Sequence, residues 1–177
     1  MKGSTHLMVG AAVGVPVAWF YGLPWLVGLS LFAGLVPDLD APDATLKHWT
    51  INLGDRRRGT KLKPFAIVSS FMTLIFPHRG FVHSLYAALT FGLVGAIIGL
   101  LLHLSVWWPI TLALLVGYIS HLLLDALTPS GIPLLMRGDW HLFPHLRIPT
   151  GSYIEHLMVA LAAVVVLGYL LTAGSAY

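Results

Sequence analysis

The sequence predicts an all-α fold: a polytopic helical membrane protein with about five transmembrane helices plus a short interfacial or re-entrant helix. Three observations predict it. Hydrophobic residues make up 57% of the 177 positions and charged residues only 10%, and the mean hydropathy is +0.83, a balance foreign to soluble domains. Several apolar runs approach the roughly 20 residues that a bilayer core requires. The 18 glycines and 11 prolines punctuate those runs, as helix ends and turns would. The chain reads as a single membrane-embedded domain over residues 1–177.

Residues 6–22 and 23–36 form two apolar runs separated by "YGLPW". Gly22 suits a helix stop and Pro24 the first turn of the next helix, so the pair predicts a hairpin. The second run has about 14 residues, or roughly 21 Å of helix at about 1.5 Å per residue, which is short for a full crossing. Bulky "VPVAWFYG" stands where a signal peptidase wants small residues, so the first run is expected to be retained. The run 64–77 is also short and lies between prolines, which predicts a re-entrant or interfacial element. Residues 83–103, 106–127 and 153–174 each have the length of a span. Gly10 with Gly14, and Gly95 with Gly99, have the small-xxx-small spacing of close helix packing.

Charge orients these elements. If 64–77 does not cross, all ten Lys and Arg residues share one side, which the positive-inside rule makes cytoplasmic. The other turns hold Trp19, Tyr21, Trp25, Trp107 and Trp108, which fit an interfacial belt. The sequence pI near 9.4 is therefore read as topology and contact with anionic lipid, and no nucleic-acid partner is expected.

This topology carries a chemical consequence. It brings to the cytoplasmic face His6 at the start of the first run, Asp38 and Asp40 in "VPDLD" after the second, and His78 and His83 before the third. His121 and Asp125 lie near the inner end of the fourth span, and Glu155 opens the last. With no cysteine in the chain, a metal must be held by imidazole, carboxylate or carbonyl. His121 and Asp125, at i and i+4, aim at one point inside an apolar segment, where a proton, an ion pair or a metal must satisfy them. Taken singly, other members have simpler readings: Asp38 and Asp40 can begin a turn with Pro37, and Ser152 with Glu155 matches the S-x-x-E capping box. His48, His103, His141, His145 and His156 are less well placed.

More donors converge than one tetrahedral ion uses, which predicts a catalytic site with two or more divalent ions, zinc or alternatively manganese. Such ions supply hydroxide for attack on an ester or phosphoester. Asp40 is the candidate for orienting or deprotonating water. Arg79, between His78 and His83, suits a bidentate grip on a substrate phosphate. A metal-ion or proton-coupled transporter would spread its ligands through the membrane depth and show an inverted repeat; neither is visible. A non-catalytic scaffold gripping lipid through "RRRGTKLK" would leave the histidines idle.

The stretches "THLMVG", "LVPDLDAPD", "PHRGFVHSL" and "GYISHLLLDALTPSGIPLL", with Glu155, together resemble the YdjM-type family of membrane-bound, metal-dependent hydrolases. The resemblance implies that His6, Asp38, Asp40, His78, His83, His121, Asp125 and Glu155 are the metal-binding set. It extends more remotely to zinc-dependent phospholipases C and P1-type nucleases. One departure is Ala41, which stands where the family often reads histidine in P-D-I-D-H-P. The expected substrate is a lipid or amphiphilic phosphoester at the inner leaflet of the cytoplasmic membrane, and Trp140–Ser152 is expected to be a lid or substrate-facing loop.

Overall fold

The computed structural model describes residues 1–40, 50–53, 60–66, 70, 80–136, 139–143 and 145–174, without the side chains of 40, 51–53, 60–62 and 174. Among them, five helices carry the architecture: α1 (Gly3–Tyr21), α2 (Leu26–Ala33), α3 (Leu85–Leu101), α4 (Trp107–Ala126) and α5 (Tyr153–Gly174). Short 3-10 turns at Pro37–Asp40 and Phe81–His83 follow α2 and precede α3. The helical class stands with one unpredicted addition, an antiparallel ribbon of β1 (Ile51–Leu53) and β2 (Thr60–Leu62) that sets Asn52 opposite Lys61.

Length and apolar composition qualify three helices to cross a membrane: Gly3–Tyr21, Trp107–Ala126 and Tyr153–Ala173. Leu85–Leu101 is apolar but shorter, and α2, with 8 residues, reaches only about 12 Å. The expected five crossings are therefore met by length at three. Of the predicted 64–77 element, residues 64–66 and 70 are helical, and the remainder lies outside the described residues.

Local signals end the helices where the sequence places them. Gly22 closes α1 in the left-handed region at φ 63° and donates its N–H to the carbonyls of Ala18 and Trp19, which a residue with a Cβ would do under strain. Ser84 caps α3 by accepting the Ala87 N–H at 3.3 Å. The last carbonyls of α4 are taken by the following loop, through Leu142 N–H to Ala126 (3.1 Å) and Ile148 N–H to Leu127 (2.8 Å).

Helices α1, α2 and α4 pack on one another, with α3 against α4 and α5 against α1. Helix α4 is central, 61% buried over its apolar window, whereas α5 is 11% buried and faces outward nearly all round. Small residues bring the three inner backbones together. A Cβ on Gly14 would stand 2.6 Å from the Ser30 Cβ, one on Gly10 3.1 Å from the Ser30 carbonyl, and one on Gly117 would strike the Ser30 backbone. The small-xxx-small spacing of Gly10 and Gly14 thus falls on a real helix crossing.

Chain direction alternates, so α1, α3 and α5 begin, and α2 and α4 end, at one end of the bundle. The Leu85 N–H donates to the Leu134 carbonyl at 2.9 Å, joining the turn before α3 to the loop after α4. Accessibility tags near residues 80 and 140 are therefore expected to report the same compartment in intact vesicles. Gly117→Ala should lower thermal stability in detergent by about 1–3 kcal/mol through overpacking. Gly28→Ala should not lower it, because a Cβ there meets nothing within 4 Å.

Candidate metal centre

Each donor of the central cluster sits at or near the end of an element. His6 lies in the first turns of α1, Asp38 in the turn after α2, and His83 closes the turn before α3. His121 and Asp125 lie one turn apart near the end of α4. The His83 turn is pinned from both sides: the Tyr118 hydroxyl donates to the Val82 carbonyl and the Ser84 hydroxyl to the Phe81 carbonyl, each at 2.6 Å.

One donor atom from each of Asp38, His83, His121 and Asp125 lies within 4.8 Å of all the others. His121 Nε2 is 3.4 Å from His83 Nε2, 3.6 Å from Asp38 Oδ1 and 3.8 Å from Asp125 Oδ2. His83 Nε2 is 3.9 Å from Asp38 Oδ1 and 3.6 Å from Asp125 Oδ2. The opposite oxygen of Asp125 faces His6, with Oδ1 3.3 Å from His6 Nε2, and the Met1 ammonium is 2.8 Å from the same oxygen. The His6 ring stacks on His121 with centroids 3.7 Å apart.

Two features make this a cation-binding arrangement. The His121 Nδ1 lies 2.8 Å from the Gly34 carbonyl, which only an N–H can satisfy, so the neutral ring turns its Nε2 lone pair inward to two carboxylates. Second, His6, His83 and His121 are 0% exposed and Asp125 2%, while the Asp38 side chain is 20% exposed. Neither nitrogen of His6 makes a hydrogen bond of normal geometry. Convergent acceptors in a dry bundle need protons or a cation between them. Asp38 is suited to the role. Its burial alone would raise its pKa, but the His83 imidazole 3.9 Å away outweighs that and holds it at about 2. The buried cluster of Asp38, His83, His121 and Asp125 can hold a metal ion.

Of the eight residues predicted to bind metal, five come together: His6, Asp38, His83, His121 and Asp125. Glu155 does not join them in any described contact. It accepts the Lys2 N–H at 2.7 Å, the Thr5 hydroxyl at 2.6 Å and the Gly151 N–H, while its own N–H donates to the Ser152 hydroxyl at 3.3 Å, which is half of the predicted capping box. Asp40 ends the turn after α2, and its side chain lies outside the described residues, as do His78, Arg79 and His48. His103 is exposed just past the far end of α3. His141 is bonded to the Pro129 carbonyl and His156 to the Ser152 carbonyl. Sequence reasoning missed the Gly34 carbonyl, which orients His121; no pattern of residue types marks a backbone acceptor.

Membrane-length apolar helices around a buried His and Asp cluster define a polytopic helical membrane protein with a candidate metal centre. The chain belongs to the YdjM inner membrane protein family, whose model matches residues 1–176. It is 32% identical over 165 residues to the uncharacterized protein YvsG of Bacillus subtilis strain 168, covering 90% of this chain and 88% of that one. It is 30% identical over 138 residues to the inner membrane protein YdjM of Escherichia coli K12 and to that of Shigella flexneri, covering 75% of this chain and 60% of each. The chain thus spans about three fifths of the YdjM proteins' length. No solved structure matches it, so the remote likeness to phospholipase C and P1-type nucleases finds no support there.

Elemental analysis of the purified protein should find a divalent metal that is largely lost in His83→Ala, His121→Ala and Asp125→Ala. His103→Ala, altered at the far end of the bundle, should retain it. Equal metal content in all four folded variants would remove the case for this centre.

Proposed function

We propose that this protein is a membrane-bound, metal-dependent hydrolase acting on a phosphoester or ester of a lipid or amphiphile at the cytoplasmic face of the membrane. The observation that carries the reading is the convergence of two carboxylates and the inward Nε2 of His121 at one buried point, with acceptors facing acceptors. Asp38, His83, His121 and Asp125 would hold one ion. A second ion would replace the Met1 ammonium on the other oxygen of Asp125, which faces His6. His78 and Asp40 are the further donors on this reading. Zinc suits imidazole with carboxylate, and manganese is the alternative.

Bound there, a divalent cation supplies the Lewis acidity that makes water a nucleophile near neutral pH. The protein's own groups do the rest. Asp40, two residues beyond Asp38, orients water or removes its proton. Arg79, between two histidines, grips the substrate phosphate with paired N–H donors. The Gly34 carbonyl keeps His121 in one tautomer. Gathering of the described donors at one end of the bundle argues against ion transport, which needs them along the membrane depth.

The test is hydrolysis of a chromogenic phosphodiester and of phospholipid in mixed micelles. Activity should disappear on chelation and return with zinc or manganese. Arg79→Ala should reduce phosphoester turnover by roughly 10- to 100-fold, as loss of charge-assisted hydrogen bonds of about 1.5–3 kcal/mol implies, while sparing a carboxylic ester. A metal-loaded protein inert toward phosphoesters and esters alike would overturn the reading.

A further inference from the structure

Glu155 is a carboxylate only 1% exposed, and its hydrogen bonds tie together distant parts of the chain. Two of its donors, the Lys2 N–H and the Thr5 hydroxyl, belong to the start of α1, while the third is the Gly151 N–H just before α5. Helix α1 has no cap of its own, since Lys2 occupies the capping position and makes no side-chain cap bond. A helix start without an acceptor leaves N–H groups unsatisfied. Glu155 provides one from another helix. The residue after Thr5 is His6, whose ring must lie flat on His121 and face Asp125 to serve the cluster.

We propose that Glu155 is a positioning residue: it locks the first turn of α1 to α5 through Lys2 and Thr5, and thereby sets His6 against Asp125, without itself binding metal. The inference rests on the metal reading above. As a ligand, Glu155 would have to turn away from Lys2 and Thr5, leaving a buried hydroxyl and an N–H without acceptors, which is costly. In its observed role it belongs with the outer partners that orient a metal ligand and tune its affinity.

Cobalt titration of the purified protein in detergent, followed by visible absorption, separates the two roles. Thr5→Val removes the hydroxyl and no metal donor. It and Glu155→Gln should each weaken cobalt binding about tenfold, yet show the parent spectrum at saturation. Thr5→Ser, which keeps the hydroxyl, should restore parent affinity, and the double variant Thr5→Val with Glu155→Gln should be no weaker than the worse single one. Far-UV dichroism checks that each variant keeps its helices, and the Thr5 pair decides the matter if Glu155→Gln does not fold. An altered saturated spectrum in Glu155→Gln alone would make Glu155 a ligand and overturn the inference. So would parent affinity in Thr5→Val. A parent protein that binds no cobalt would sink the metal reading, and this inference with it.

Discussion

The rest of the structure answers to one constraint: two carboxylates and three imidazoles are held together where water is scarce. An unpaired charge in such a place is several kcal/mol out of balance, so the surroundings must fix each group relative to its neighbours. They do so with the backbone. The Gly34 carbonyl takes the His121 N–H, the Tyr118 hydroxyl holds the carbonyl of Val82 beside His83, and the Glu155 carboxylate takes the N–H of Lys2. These contacts leave His6, His83, His121 and Asp125 facing one another.

Close helix approach makes that possible. Side chains of His and Asp are short, so the elements that carry them must come close for their donors to meet. Ser30 and the glycines at 10, 14, 34 and 117 remove the bulk between α1, α2 and α4. Gly34 serves twice. A Cβ there would stand 2.9 Å from the His6 carbonyl, and its own carbonyl is the acceptor that orients His121. The same position thus brings α1 close and sets a tautomer on α4, which couples the packing of the bundle to the chemistry of its end.

Much of this was legible in the sequence. His121 and Asp125 announce a shared target because i and i+4 is a fixed geometry within one helix. The hairpin of the first two apolar runs set His6 and Asp38 at one end, and the charge count that kept 64–77 from crossing brought His83 to the same end. Other features were not legible. The run 23–36 looked like one helix, but hydropathy does not register that α2 stops at Ala33, ahead of Gly34 and Pro37. Glu155 carried a capping signature and a ligand's chemistry at once, and nothing local pairs it with Thr5, 150 residues away. The ribbon of Ile51–Leu53 with Thr60–Leu62 is too short for periodicity to reveal.

The location of the cluster also bears on what can reach it. Its donors lie at helix ends, so on the hydrolase reading the reacting bond lies at the depth of lipid head groups rather than acyl chains. Beside it, the first turns of α5 turn Tyr153, Ile154 and Leu157 outward, at 95%, 48% and 59% exposure. Glu155 on the same turns points inward to α1. A helix that is polar within and apolar without at the head-group boundary suits an amphiphile whose tail stays in lipid while its polar end meets the protein. On that same reading, a freely soluble ester would gain nothing from the apolar flank.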